Sequence, residues 1–323
     1  MKLIKDYHSF NESTPLLSFF FQVLHMFYLK GVKKVRKQLQ LLLEKRVKQC
    51  VSNSRDINEE CDKIQRKKKA LAERKGEIVK SKASGKIQSM KQEADITYVY
   101  YQVHFQYLIN HKGILYIEEE IEERRAEFYK GTLVDDEEIA PVFTIEKAEA
   151  SINESFDERV SFEYDRLNAI KYAETWWNNY NPRYTKFTND CTNFISQCLR
   201  AGGAPMSGYP NRSKGWWMQS KSWTYSWTVA HSFRWYLPNA RSGLRAVEVK
   251  RPDELKLGDI ICYDFEGDGR FNHTTIVTAK DADGMPLVNA HTTNSRKRYW
   301  AYEDSTAYTP NIKYIFLQII DDV

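Results

Sequence analysis

The sequence predicts an α+β protein in which a helix that begins at a cysteine packs on an antiparallel sheet. Residues 189–203 open with polar residues suited to an N-cap, continue with apolar residues at helical spacing and end in two glycines, as a short helix does. Residues 272–278 form a β-branched run typical of a strand. Residues 97–123 hold two β-rich runs joined by a glycine-containing turn, which predicts a hairpin.

The length and composition of the chain suggest two domains. A chain of 323 residues is long for one compact α+β unit, and 14% aromatic residues are too many for a compositionally disordered protein. We expect an N-terminal domain over residues 1–140 and a C-terminal domain over residues 165–323. Residues 141–164 are predicted to be the linker, because an acidic patch precedes them and their periodicity is weak.

The N-terminal part of the chain is strongly basic. Residues 1–91 hold 22 Lys and Arg against 9 Asp and Glu, whereas the remainder carries a net charge of −8. Such a basic region fits an anionic surface, although a solvated helical face is the commoner explanation, and no specific nucleic-acid motif is present. Residues 32–92 are expected to be helical, and with the following hairpin they suit a small α+β domain of the cystatin-like type.

The apolar stretch from Leu16 to Leu29 is the one candidate for a membrane or targeting segment. It spans 14 residues, short of the roughly 20 that cross a bilayer, so we expect no transmembrane span. Asp6 and Glu12 precede it and a basic run follows it, which is unlike a secretory signal. We therefore expect a cytoplasmic protein, with spore association or atypical export as the alternatives.

Cys191 and His273 form the candidate pair of nucleophile and base. At the start of a helix, the sulfur of Cys191 lies near unpaired backbone N–H groups and the positive end of the helix dipole, which favour the thiolate. His273 opens the strand some eighty residues later and can serve as the base. Each residue also has a structural interpretation, as a buried thiol and as a strand histidine that is already hydrogen-bonded.

A third residue is needed to orient His273. Residues 281–284 predict a turn between the strand of His273 and a following strand that carries Asn289 and His291 on one face. An antiparallel register through this turn would bring one of the two close to His273. Either residue could then select the tautomer of His273 and stabilise its protonated form.

The remaining cysteines and the acidic residues do not predict a metal site. The five cysteines include no CxxC pair, and Cys198 and Cys262 lie in patterns that suit buried hydrophobic residues. Residues 264–269 resemble a calcium loop, but the twelfth position is Thr275 where an EF-hand has a glutamate. We expect neither a metal nor an organic cofactor. Five tryptophans fall between residues 206 and 236, and Trp216 and Trp217 would either line a substrate groove or pack in the core.

Three segments resemble the bacterial putative amidase domain family over roughly residues 165–323. They are YNPRYTKFTNDCTNFISQCLRAGGAPM, LKLGDIICYDFEGDGRFNHTTIVT and LVNAHTTNSRKRYW, in that order. The resemblance implies a papain-like fold related to the CHAP amidases and NlpC-type cell-wall peptidases. It implies a hydrolase that cuts amide bonds with Cys191, His273 and a third residue, for which it favours His291 over Asn289.

The same resemblance suggests peptidoglycan-type peptides as substrates. Tyr184 would add a hydroxyl to the substrate site, and the backbone N–H of Cys191 would stabilise the oxyanion. Two alternatives stay open. The same residues would support acyl transfer to an amine, and the chain could instead be a catalytically silent binding protein that docks on an anionic surface through residues 1–91.

Overall fold

A computed structural model describes residues 15–51, 61–140, 161–219 and 221–322, with side chains in the first helix from residue 32 onward. Six α-helices are present in these ranges: α1 (Pro15–Val51), α2 (Asp62–Glu73), α3 (Arg166–Trp176), α4 (Cys191–Ala201), α5 (Tyr225–Thr228) and α6 (Ala230–Asn239). A 3₁₀ turn covers Pro252–Glu254. None of the described helices combines the length and apolar character that crossing a membrane requires.

Ten strands form one large antiparallel sheet. The strands before α4 are β1 (Gly76–Glu93), β2 (Ile96–His111), β3 (Ile114–Tyr129) and β4 (Thr132–Glu138). A separate two-stranded ribbon joins β5 (Met218–Gln219) and β6 (Ser222–Trp223). The other strands are β7 (Arg245–Val249), β8 (Ile260–Asp264), β9 (His273–Lys280), β10 (Pro286–Ala290), β11 (Ser295–Tyr299) and β12 (Lys313–Ile320). The sheet order is β1-β2-β3-β11-β10-β9-β8-β12-β7, with β4 beside β3.

The structure confirms the α+β class, the large antiparallel sheet and the helix that begins at Cys191. The predicted hairpin of residues 97–123 is present as β2 and β3, which pair along their whole length. The turn at residues 281–284 joins β9 to β10, also as predicted. The helix and the two hairpins are each formed within one continuous segment of the sequence, which is why local patterns predict them.

The prediction of helix throughout residues 32–92 is wrong for its last part. Residues 32–51 and 62–73 are helical, residues 52–60 lie outside the described residues, and residues 76–93 form β1. Pairing with β2 along nearly all of β1 outweighs the helix propensity of its Lys, Glu and Ala residues. Because β1 is an edge strand, its exposed lysines also oppose pairing with other chains.

The two sequence regions share this sheet. Ser295 and Arg296 of β11 pair with Glu120 and Glu119 of β3, so the N-terminal hairpin continues directly into the C-terminal strands. The predicted domain boundary near residue 140 stays a prediction, because residues 141–160 of the predicted linker lie outside the described residues.

Three apolar clusters surround the sheet. One packs α1 and α2 on β1, β2 and β3. The second packs α3, α4 and α6 on the C-terminal strands and includes Phe194, Cys262 and Ile276. The third lies on the opposite face of those strands and includes Tyr263, Val277 and Tyr302. The site described next lies where the start of α4 meets the start of β9, between the second and third clusters.

Candidate functional site

Cys191 is the first residue of α4 and is only 3% exposed. Its Sγ lies 3.8 Å from the hydroxyl of Thr192 and 3.9 Å from the carbonyl oxygen of Asn272. The backbone N–H of Thr274 also lowers the pKa of the thiol, against the effect of burial. The thiol therefore lies next to the backbone that leads into His273.

The start of α4 is capped by a distant threonine. The backbone N–H groups of Asp190 and Cys191 both donate to Thr292 Oγ1, at 3.0 and 3.1 Å. Thr292 has φ 77°, a left-handed conformation that is strained for a β-branched residue. The N–H of Cys191, predicted to stabilise an oxyanion, is thus engaged by the Thr292 hydroxyl in this structure.

Burial decides the ionisation of the candidate nucleophile. It raises the pKa of the Cys191 thiol, although hydrogen bonds from Thr192, Thr274 and Thr292 act in the opposite direction. The sequence predicts the reverse, a thiolate stabilised by the helix start. Helix termini lower a thiol pKa when the group is partly solvated, and here desolvation outweighs that effect. The resting group is a neutral thiol.

The ring of His273 is surrounded by aromatic side chains. It is 5.5 Å from Tyr263, 5.9 Å from Phe265 and 5.4 Å from Tyr302, measured between centroids, and its Nε2 is 3.3 Å from the Tyr302 hydroxyl. Burial, together with a smaller effect of the nearby Arg298 cation, lowers the pKa of His273 to about 3. The imidazole is therefore neutral at physiological pH.

The structure brings Cys191 and the His273 segment together at the end of β9. Thr192 and Thr274 share a hydroxyl contact of 3.2 Å, which ties the second residue of α4 to the second residue of β9. The body of α4 packs on one face of the sheet, whereas the His273 ring packs with the third cluster.

The two candidates for the third residue make contacts elsewhere. Nδ1 of His291 is 2.7 Å from Asp190 Oδ2 and its Nε2 is 2.8 Å from the carbonyl oxygen of Trp176. Its ring stacks on Phe194 at 3.9 Å. His291 thus ties the end of β10 to α3 and to the residue that precedes Cys191.

Asn289 is buried and its amide is likewise committed. Its Oδ1 accepts hydrogen bonds from the Thr278 hydroxyl and the Lys297 N–H, and its Nδ2 donates to Glu174. These bonds connect β10 with β9, β11 and α3. The hydrogen bond observed at the imidazole of His273 instead involves Tyr302, which the sequence analysis did not select. Tyr302 carries no motif signal, since it is one aromatic residue among several after β11.

The three predicted substrate contacts differ in exposure. Trp216 and Trp217 are almost completely buried, and Trp216 packs 4.4 Å from Trp227 and donates to the Ser196 hydroxyl. This placement favours core packing over a groove lining. Tyr184 is half-buried and stacks 6.1 Å from Trp227.

The loop that resembles a calcium site is organised by its own carboxylate. Both Asp264 oxygens accept backbone N–H groups, from Gly267 and Gly269 at 2.8 Å and from Asp268 at 3.3 Å. These bonds explain why an aspartate begins the loop.

Comparisons with known proteins identify one family and two relatives. A model of the family described as "Putative amidase domain" matches residues 163–317. "Uncharacterized protein YhbB" of Bacillus subtilis (strain 168) is 55% identical over 268 residues, which cover 80% of this chain and 86% of that protein. "Uncharacterized protein YjcM" of the same organism is 36% identical over 140 residues, 41% of this chain and 31% of that protein. No solved structure matches the chain.

Proposed function

Because the chain belongs to the putative amidase domain family, we propose that it is a cysteine-dependent amide hydrolase with Cys191 as nucleophile and His273 as base. The observation that carries this proposal is that the Cys191 sulfur contacts the carbonyl of Asn272 while Thr192 contacts Thr274, so that the start of α4 meets the residues on either side of His273. A thiol at a helix start with an imidazole base within reach is the arrangement that nucleophilic acyl transfer requires.

The neutral resting state shapes the mechanism. Cys191 attacks the amide carbonyl as its thiol proton passes to His273, so that no separated ion pair exists before substrate binds. His273 then gives this proton to the leaving amine, and the acyl group stays on the sulfur as a thioester. Water, deprotonated by His273, hydrolyses the thioester and restores the thiol. Burial of both groups disfavours their charged forms, which is why the proton moves during the attack.

The N–H of Cys191 is our proposed oxyanion donor. It already points at an oxygen, the hydroxyl of Thr292, as does the N–H of Asp190. Two N–H groups that converge on one oxygen form the geometry that stabilises a tetrahedral intermediate. The substrate oxygen would replace the Thr292 hydroxyl on these two donors.

For the substrate we propose a peptidoglycan-type peptide, as the resemblance suggests, and we keep the cytoplasmic site of action that the sequence predicts. Tyr184, half-buried beside Trp227, is the substrate contact that we retain, whereas Trp216 and Trp217 would support the site from within the core. Acyl transfer to an amine uses the same thioester and differs only in the group that attacks it.

Cleavage of muropeptides by matched cysteine variants tests this proposal. Cys191→Ala should abolish release of the amine product, whereas Cys198→Ala, two turns along the same helix and fully buried, should keep it. A competing amine in the assay would reveal transfer by forming a second amide. Equal activity of Cys191→Ala and the unmodified protein would contradict the cysteine mechanism.

A groove between α1 and β1 favours a second candidate function, docking on an anionic surface. The groove has a volume of about 850 Å³ and an apolar lining that includes Leu39, Leu43 and Ile87. Four exposed cations and one exposed carboxylate also line it: Arg36, Lys48, Lys82, Lys86 and Glu44. A positive rim around an apolar floor suits an anionic, partly apolar partner.

Vesicles with an anionic lipid test this second function. Binding should weaken as salt increases, should survive Cys191→Ala and should fall in a Lys82→Gln/Lys86→Gln variant. Lys80→Gln is the control, since Lys80 is an exposed lysine of β1 outside the groove lining. Binding that is equally weakened by Lys80→Gln would indicate general charge attraction and no specific role for the groove.

A further inference from the structure

The hydroxyl of Tyr302 links His273 to a second buried side chain. It lies 3.3 Å from His273 Nε2 and 3.3 Å from Ser295 Oγ, and the residue is 2% exposed. A phenol in this position can accept one hydrogen bond and donate another. Its orientation therefore determines which nitrogen of His273 carries the proton.

The Tyr302 ring is itself held by a chain of buried charges. The Arg298 guanidinium lies 4.3 Å from the ring centroid, and its Nη2 is 2.9 Å from Asp304 Oδ1. The other oxygen of Asp304 is 2.7 Å from Lys67 Nζ. We call Lys67, Asp304, Arg298 and Tyr302 the Lys67–Tyr302 chain. It runs from α2, in the N-terminal region, to the imidazole of the candidate base.

Every member of the Lys67–Tyr302 chain is buried, which restricts its movement. Burial alone would raise the pKa of Asp304, but Arg298 and Lys67 hold it well below the usual range. The carboxylate is therefore ionised and bound on both sides. Moving Arg298 away from the ring of Tyr302 would separate it from Asp304 and leave both buried charges without this partner, which is strongly unfavourable. The ion pair between Arg298 and Asp304 therefore restricts the position of the Tyr302 ring.

We propose that Tyr302 is the positioning residue of His273 and that helix α2 completes this arrangement through Lys67. The Tyr302 oxygen accepts the Nε2–H of His273, and its own hydroxyl donates to Ser295. Nδ1 of His273 is then the basic nitrogen that takes the thiol proton of Cys191. This inference rests on the proposed function and extends it, because it gives the N-terminal region a place in the catalytic arrangement.

Nitrogen-15 NMR of the imidazoles tests the proposal without any substrate. The protein has seven histidines, and a His273→Gln variant identifies the His273 resonances. We expect the unmodified protein to show His273 protonated at Nε2 alone. Protonation at Nδ1 in the unmodified protein would overturn the proposal, and this readout needs no variant that risks misfolding.

Two tyrosines of the same cluster provide a matched comparison. Tyr302→Phe keeps the ring and removes the hydroxyl, so we expect a mixture of His273 tautomers. Tyr263→Phe should leave the tautomer unchanged, because the Tyr263 hydroxyl bonds to Thr275 and Trp300 instead. An unchanged tautomer in Tyr302→Phe would overturn the proposed role of the phenol.

Two lysines of α2 test the contribution of the N-terminal region. Lys67→Met and Lys63→Met each remove one buried cation, but the carboxylate partners of Lys63 are Glu120, Glu122 and Glu138 rather than Asp304. Among folded molecules, Lys67→Met and Tyr302→Phe should slow acetylation of Cys191 by p-nitrophenyl acetate by about tenfold. Lys63→Met should leave the rate unchanged.

The outcomes separate this inference from the proposed function. Equal slowing by both lysine variants would overturn the Lys67–Tyr302 chain while leaving Cys191 as nucleophile. If Cys191 in the unmodified protein is not acetylated at all, the proposed function fails. The tautomer of His273 in the unmodified protein and in Tyr302→Phe then still decides whether Tyr302 positions the ring.

Discussion

Helix α2 buries lysines against carboxylates of β3 and β4, whereas helix α4 begins with a buried thiol that contacts the backbone next to His273. Three glutamates of β3 are almost completely buried, and each forms an ion pair with Lys63 or Lys67. They are Glu118, Glu120 and Glu122. Both lysines keep their charge, because these carboxylates raise their pKa despite burial.

The contrast between these regions separates buried groups that are charged from buried groups that are neutral. A buried charge persists only where an opposite charge offsets its desolvation. Around α2 that condition is met, so the ion pairs hold the helix on the sheet. At Cys191 and His273 burial dominates instead, because it raises the pKa of the thiol and lowers the pKa of the imidazole, and both groups are neutral at rest. Under the proposed function, these two neutral groups exchange a proton during catalysis.

The largest expected effect comes from breaking a pair in the ionic region. Arg124 is buried and contacts Glu122 and Asp136, so Arg124→Met should lower the free energy of unfolding by about 3–5 kcal/mol. Arg125→Met is the control, because Arg125 and its partner Glu137 are partly exposed and such a pair contributes about 0–1 kcal/mol. Denaturant unfolding measures the free energy of unfolding of both variants. Equal losses would contradict the expectation that the buried pair contributes more than the exposed one.

Acid should destabilise the protein through His273. Its pKa is about 3 in the folded chain and about 6.5 when unfolded, so between these values the unfolded chain binds a proton that the folded chain does not. Stability is thus lost as pH falls through this window, by up to about 1.4 kcal/mol per pH unit. His273→Gln removes this contribution and keeps those of the carboxylates.

Unfolding free energies of the unmodified protein and of His273→Gln, measured at several pH values, isolate the histidine. We expect the difference between them to change with pH only below about 6.5. A difference that is constant from neutral to acidic pH would show that the pKa of His273 is the same in the folded and the unfolded chain, which would contradict a pKa lowered by burial.

A smaller effect is expected at Thr292. Thr292→Val removes the hydroxyl that caps the start of α4 and should cost about 0.5–2 kcal/mol, the usual range for loss of a cap. It should also raise the pKa of Cys191 further, since the hydroxyl lowers it. Thr292→Ser should preserve both properties. Denaturant unfolding and the pH dependence of Cys191 alkylation measure them, and similar values for Val and Ser would exclude a role for the hydroxyl.

Local patterns made part of the fold predictable. The helix at Cys191 and the hairpin of β2 and β3 depend on caps, periodicity and turns within a short stretch of chain. The strand at residues 76–93 was missed because its conformation is imposed by pairing with β2. Sequence patterns likewise do not predict that Glu118, Glu120 and Glu122 are buried. The lysines that pair with them lie more than fifty residues earlier in the chain.

For the candidate site, the sequence predicts the two segments that the structure brings into contact, and the site residues themselves stay predictions. Cys191 and His273 sit in recognisable local contexts, and the structure places their segments in contact. Period-two alternation selected His291 and Asn289 as orienting residues, but Asp190 and Glu174 bind them on the helix-bearing face. Tyr302 comes from a turn after β11, where no periodicity indicates the direction of a side chain.

The most direct test of a Cys191 nucleophile with a His273 base is acetylation of the native protein by p-nitrophenyl acetate, followed by peptide mass mapping. We expect the acetyl group on Cys191, even though Cys61 is more exposed, and we expect His273→Ala to slow its formation by about 10²–10⁴-fold. Labelling of Cys61 with none on Cys191, or an unchanged rate in His273→Ala, would contradict the proposed pair.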